Sequence, residues 1–505
     1  MKNSARMIAA VAAAGMVLAL AACSGTSNDS GKSAGPASIT LAIERAPGGG
    51  WDPTKWNWST FAQLSQASYD GYLHGNPDGS FSPALATAWK WTSDTDFEMT
   101  LRSGVTFADG EKMTADVVKQ NLELQSKGQA LSLLKSVDVA GDDKVILHFA
   151  SFFPDLELVL SQQAGLVIGP KGLADPASLS EAPDGAGPYT FEKSKSVSES
   201  TYVFSKNPDY WDAKKVGFDT MTFKVIDDAQ AAFSALQSGQ IDMSWARYPN
   251  VDAAKGAGFK VFEGAGSMLM VQFVDMAGKD VPALADERVR QAINYAVDRE
   301  AYEKNVSPGR VTSQWANSET EAYDKSLDDT YTYDVAKAKE LLAAAGYPDG
   351  FTLPISTTTT NQTALEAIAG DLAKVGVKVQ QIVKPIAEWV PAATAGQFPA
   401  ILVPLSSNGS YTDFASLVLP TGSINTRHYD DQKAVELFDA AATQRDTDKR
   451  ITAWHALSKY VTDDAWTLPM QQTTTFYFYN DKKVTGVKRV KGTLLPAIYW
   501  LQPAA

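Results

Sequence analysis

PALATAWKWTSDTDFEMTLRSGVTFADGEKMTADVV, residues 83–118, is the stretch from which the fold is read. Phe97, Met99 and Leu101 alternate here with Glu98, Thr100 and Arg102. A period of two puts apolar side chains on one face of a strand and leaves the other face wet. Ser103-Gly104 then turns the chain, and a neighbouring strand is expected to begin at Val105. Asp109-Gly110 is a second turn pair, where glycine tolerates positive φ.

Toward the C-terminus, short alternating segments interleave with amphipathic helices, with no heptads and no repeat period, which reads as a mixed α/β protein. Asp334 caps a helix whose apolar stripe is Val335, Ala338, Leu341, Leu342 and Ala345, and Gly346 followed by Pro348 stops it. Asp286 caps another, with Val289, Ala292, Ile293, Ala296 and Val297 as its stripe. Both stripes are packing faces.

Toward the N-terminus the chain opens on Lys2 and Arg6 followed by an uncharged apolar run from Met7 to Ala22, the pattern of a signal peptide over residues 1–22. The run is shorter than the roughly 20 apolar residues that span a bilayer. Leu20-Ala21-Ala22-Cys23 resembles the bacterial lipobox, and Cys23 is the only cysteine of the chain. Lipid attachment is therefore expected at Cys23, with residues 23–38, rich in Ser, Gly, Asn and Asp, as a flexible tether. Gly31-Lys32-Ser33 inside that tether lacks the first glycine of a phosphate loop. Loss of the leader takes the net charge from −13 to −15. That balance argues against nucleic acid as a partner. With one cysteine there is no internal disulfide, so burial holds a fold of two or three domains.

Further blocks stand in a fixed order: Gly187-Pro188-Tyr189, Asn207-Pro208 with Tyr210-Trp211, Ala235-Leu236 with Ser238-Gly239 and Ile241-Asp242, Val289 to Arg299, and Ala338 to Gly350. With residues 83–118 they resemble family 5 of the bacterial extracellular solute-binding proteins, the oligopeptide-, dipeptide- and nickel-binding receptors of ABC importers. The resemblance implies an α/β fold of the periplasmic-binding-protein type (type II, cluster C-like), two-lobed with an extra third domain. One lobe would combine residues 39–72, 185–265 and 475–505, the extra domain would span 73–184, and the second lobe 266–474. It further implies a monomeric, extracytoplasmic receptor on the cell membrane. Its partners would be a peptide or other small-molecule ligand and an ABC permease with its ATPase, and it would need no cofactor.

Ligand residues are expected where such a receptor closes. Gly48 to Pro53 carries Trp51, with Trp56 and Trp58 close behind. Ser244-Trp245-Ala246-Arg247 follows the turn at Gly239, and Gly264 to Ser267, with Gly266 inside it, leads into a crossing strand ending at Gln272 and Phe273. The loop Leu405 to Phe414 contributes Ser406, Asn408, Ser410, Tyr411 and Asp413. In peptide-binding members this loop holds an aspartate that pairs with the ligand's α-amino group. Here that position falls on Ser410, with Asp413 three residues on. Burying an ammonium without a partner costs several kcal/mol. Either Asp413 or another acid makes the pair, or the ligand is a sugar, a capped or modified peptide, or another polar metabolite.

Signals for catalysis and metal binding are weak. The four histidines, His74, His148, His428 and His455, have no helical metal spacing, although His428 is a candidate for the cleft. Ser132-Leu133-Leu134-Lys135 lacks the companion motifs of penicillin-recognising enzymes, and no Gly-x-Ser-x-Gly elbow occurs. Asp227-Asp228 and Asp463-Asp464 are sequence neighbours whose side chains diverge. The competing readings are an extracytoplasmic hydrolase of cell-wall or glycan fragments, and a sensor subunit on the same scaffold.

Overall fold

A computed structural model describes residues 36–505. The signal peptide, Cys23 and the tether up to residue 35 lie outside the described residues. The first strand, Ser38–Ile43, begins on the last residue assigned to the tether.

One mixed sheet of 11 strands runs through the molecule. From one edge its order is Lys378–Lys384, Thr352–Thr358, Ala400–Leu405, Lys260–Phe273, Thr467–Tyr479, Met243–Ala246, Ser38–Ile43, Thr220–Val225, Thr201–Lys206 and Tyr189–Phe191, with Gly309–Val311 also paired to Thr467–Tyr479. Two long antiparallel strands, Lys260–Phe273 and Thr467–Tyr479, are shared by both halves of this sheet. They pair with each other over Lys260–Ala265 and again over Met268–Gln272, and the other edge of Met268–Phe273 pairs with Ala400–Leu405. The register shifts between Ala265 and Met268, so a bulge marks the passage from one half to the other. On both sides the strands next to the long pair include parallel ones. Ser38–Ile43 runs parallel to Thr220–Val225 and Met243–Ala246, and Thr352–Thr358 runs parallel to Lys378–Lys384 and Ala400–Leu405. The C-terminal ends of these parallel strands meet at the passage, the edge at which open α/β sheets bind ligands.

The cores follow the same division. One is built wholly from residues between Met268 and Met470, where Trp454 stacks on Phe414 and meets Phe438 edge-on. A second, between Tyr72 and Ala186, lies under a separate antiparallel sheet in the order Ala86–Trp91, Asp96–Leu101, Lys144–Phe149, Leu134–Val139. A third joins the first strand to residues as far on as Leu501.

Local readings from the sequence hold where the pattern was long. Asp96–Leu101 is a strand with Phe97, Met99 and Leu101 buried. Asp334 accepts from the amide of Lys337 at the head of Val335–Ala344, and Asp286 from that of Arg288 at the head of Glu287–Ala296. The strand expected at Val105 does not form. The amide of Phe107 donates to Glu111 O, that of Met113 donates to Val105 O, and Gly110 sits at φ +89°. This tight turn leaves only the Thr106–Lys112 bridge before Thr114 caps the helix Ala115–Gln125, so there is no length for a strand. Asp96–Leu101 pairs instead with Ala86–Trp91 and Lys144–Phe149.

Candidate ligand-binding cleft

Two cavities open at the passage between the halves. The smaller, about 300 Å³, is walled on one bank by Trp58, Gln129, Val159, Gln162 and Gln163. The other bank supplies Met268, Met270, Trp315, Ser406, Ser407, Asn408, Thr412 and Asp413. The larger, about 600 Å³, lies between Glu44, Thr60, Trp245, Arg247 and Tyr248 on one bank and Tyr302, Thr360, Asn361 and Pro404 on the other, with Thr473 to Tyr477 also lining it. Strand alternation explains the split, because Met268 and Met270 face one cavity while Ser267 and Leu269 face the other. Ser267 Oγ and Ser406 Oγ, 3.0 Å apart, form a polar partition between them.

The chemistry of the smaller cavity centres on the loop that follows Ala400–Leu405. Asp413 reaches back over that loop, accepting from Ser407 Oγ at 2.5 Å and from the amide of Asn408 at 2.9 Å. Burial pushes its carboxyl up to about 7, and these two donors only partly offset the desolvation. Among the described residues no lysine, arginine or histidine forms an ion pair with it. Trp58 in the smaller cavity and Trp245 in the larger each leave the indole N–H without an acceptor among the described residues. Buried donors of this kind call for an acceptor from a ligand or from water. Arg247 pairs with Glu44 at 3.2 Å at the exposed rim of the larger cavity.

The expected ligand residues separate into two groups. Ser406, Asn408 and Asp413 line the smaller cavity, and Trp245 and Arg247 the larger. Trp51 is buried against Phe191, Tyr202 and Phe204 and lines neither. Ser244 is buried and donates to Trp245 O. Gly266 sits inside the crossing strand, where its carbonyl accepts from Asn317 Nδ2 and a Cβ would lie 2.4 Å from Thr473 Oγ1. Ser410 is buried and accepts from the amide of Ala322, so it serves the scaffold. Tyr411 packs edge-on against Phe153 and at a tilt against Phe438. His428 donates to or accepts from nothing in either cavity, and its Nδ1 lies 2.7 Å from Pro420 O. The sequence reading missed Gln129, Gln162, Gln163, Trp315, Thr360 and Asn361. These sit in irregular segments that no local pattern marks, and only the tertiary fold brings them to the cleft.

Comparison with known proteins places the molecule. Residues 80–425 match the bacterial extracellular solute-binding proteins, family 5 Middle. Heme-binding protein A of Haemophilus influenzae is 26% identical over 92% of this chain and 93% of its own length. Glutathione-binding protein GsiB of Salmonella typhimurium is 28% identical over 65% of this chain and 66% of its own. Among solved structures, the periplasmic binding protein DppA from Helicobacter pylori, in complex with peptide STSA, superposes with a TM-score of 0.78 at 21% identity, covering 93% of this chain and 98% of that one. NikA from Brucella suis, in complex with Fe(III)-EDTA, gives 0.80 at 19% identity, covering 92% and 99%. The fold is thus the two-lobed α/β fold of these binding proteins, with its extra domain.

Proposed function

Because this chain belongs to family 5 of the bacterial extracellular solute-binding proteins, we propose that it is the substrate-binding component of an ABC importer. It captures a polar solute between its lobes and delivers it to the permease. The observation that carries this reading is the divided cleft at the C-terminal ends of the parallel strands, with an acid that forms no ion pair among the described residues. The lobes are residues 39–72, 185–265 and 475–505 on one bank and 266–474 on the other, with 73–184 as the extra domain. Lipid on Cys23 holds the monomeric receptor at the extracytoplasmic face, near its permease.

The lining supports one class of solute. Asp413 at the wall of the smaller cavity takes over the role for which Ser410 is unfit, and pairs with a positively charged group such as a primary ammonium. The unpaired indole donors of Trp58 and Trp245 ask for carbonyl or hydroxyl oxygens further along the ligand. A short peptide or a related amino compound carries both features. A solute that extends from one cavity into the other displaces the Ser267–Ser406 contact. The hydrolase reading has less support, since among the described residues no histidine joins Ser406, Ser407 and Asp413 in the lining of the smaller cavity and none lines the larger.

Mass spectrometry of whatever co-purifies with the mature chain tests this directly, followed by calorimetry with the identified compound. An amine-bearing polar solute is expected. Recovery of only neutral sugars, or turnover of the bound compound, would overturn the reading.

A further inference from the structure

The helix Ser410–Val418 follows the ligand loop and has no N-cap of its own. Gly409 occupies the cap position at φ +101° and has no side chain to offer. Asp413, one turn in, is occupied with Ser407 and Asn408. The free amide of Thr412 donates instead to Asp155 Oδ2 at 3.1 Å, across 257 residues of sequence. Asp155 precedes the short helix Leu156–Leu160, whose Leu156, Val159 and Leu160 belong to the core of the extra domain, whereas Phe414, Leu417 and Val418 belong to the core of the opposite bank. A helix of one bank is therefore capped from the other. The fit is close, since a Cβ on Gly409 would lie 2.3 Å from Asp155 Oδ2.

We infer that Asp155 is a positioning residue of solute capture: it caps the ligand-loop helix from across the cleft, so the wall that carries Asn408 and Asp413 is completed only when the banks meet. The inference rests on the cleft being the solute site. Neighbouring contacts cross at the same place. The rings of Phe153 and Tyr411 meet at 5.1 Å, and Arg445 Nη1 donates to Ser93 O and pairs with Asp94. When the banks part, the Thr412 amide and the Asp155 carboxyl both return to water. The titratable and charged groups facing Asp155 are Tyr411, Asp413, Glu321 and Arg450, all from the opposite bank, and Arg450 also faces Glu157 on the helix that Asp155 precedes. Burial among them pushes the Asp155 carboxyl up to about 8, so closing takes up a proton and is favoured as pH falls.

Spin labels at Lys135→Cys and Lys433→Cys, in a Cys23→Ser background, report the distance between the banks by electron–electron resonance in the chain without added solute. An N-cap's contribution corresponds to roughly a 2- to 30-fold change in the closed-to-open ratio, and Asp155→Ala is expected to lower the ratio by that factor. Asp155→Asn, which keeps an oxygen acceptor and cannot ionise, should restore most of it and flatten its dependence on pH between 5 and 9. Gly409→Ala, which drives a methyl into Asp155 at an unfavourable φ, should open the cleft on its own. An unchanged distance distribution in Asp155→Ala, or an Asn variant as open as the Ala variant, overturns the inference. A lowered melting temperature without a change in distance assigns Asp155 to the scaffold alone and overturns it too. If the distances respond as expected while no solute is found in the cleft, the latch stands and the proposed function fails.

Discussion

Asp413 is where stability and binding oppose each other most sharply. Its carboxyl has a usual value of 3.8 and is raised to about 7 in the folded chain, with desolvation the dominant cause. An acid raised by folding contributes stability that is complete below its unfolded value and is lost as pH climbs through its folded value. Wild-type stability should therefore decline between about pH 4 and pH 7 and level off above. The gap corresponds to an upper limit of ~4 kcal/mol at ~1.4 kcal/mol per pH unit, and water in the cavity screens roughly half of that, leaving about 2 kcal/mol. Asp413→Asn keeps the shape and an oxygen for the Asn408 amide while removing the ionisation. Guanidinium unfolding of the solute-free chain, followed by tryptophan fluorescence, should find the variant about 2 kcal/mol more stable at pH 8 and equal to wild type at pH 4. Affinity for the amine-bearing solute should fall in the same variant by a factor of ten or more, as expected when one partner of an enclosed ion pair is removed. Stability gained at the cost of binding is the usual mark of a functional group. A variant less stable than wild type at pH 8, or a difference that does not change with pH, would refute the argument.

Three further outcomes follow from particular contacts. Arg299 is buried and donates to Pro469 O, Asn294 O, Tyr331 O and Asn294 Oδ1 without a carboxylate partner, so Arg299→Met orphans four acceptors. It should cost about 3 kcal/mol or more in chemical denaturation. Ser410→Ala removes the acceptor of the Ala322 amide and should cost roughly 1–3 kcal/mol of stability while leaving solute affinity within twofold, as calorimetry would read. Cys23→Ser should abolish incorporation of labelled palmitate and move the protein from the membrane fraction to the soluble one.

The fold was legible because its signals are local and repeated. Phe97, Met99 and Leu101 state their period without reference to anything distant, and Asp286 and Asp334 are caps whose geometry is fixed within one turn. The error at Val105 has the same origin, since alternation cannot say whether a turn leaves enough chain for a partner strand. The site was legible only in part. The loop Ser406 to Asp413 was found by its resemblance to the ligand loop of peptide-binding family members, but which of its side chains face the cavity depends on the opposite bank. Ser410 turns inward to Ala322 and Asp413 turns back over the loop, a reversal set by the helix Ser410–Val418. Trp51 attracted attention as an aromatic beside three glycines, yet Phe191, Tyr202 and Phe204 enclose it. Gln162, Gln163 and Asp155 could not be found at all, because their roles exist only between segments hundreds of residues apart.

The two long strands explain why such distant groups can nevertheless be coupled. Lys260–Phe273 and Thr467–Tyr479 join the halves of the main sheet as one hydrogen-bonded ribbon, and its ladder is interrupted between Ala265 and Met268 and again between Leu269 and Met270. At the first interruption the Gly266 carbonyl accepts from Gln472 Nε2 and Asn317 Nδ2, and Ser267 meets Ser406. A solute bridging both cavities would replace the serine contact directly beside the first of these bulges, while its cationic end relieved the unpaired charge at Asp413. Both groups stand on the bank of residues 266–474, whose wall the opposite bank completes. On the proposed function, solute identity is read twice, through length at the partition and through charge at the acid. A neutral ligand, or one too short to reach from one cavity into the other, obtains only one of the two contributions.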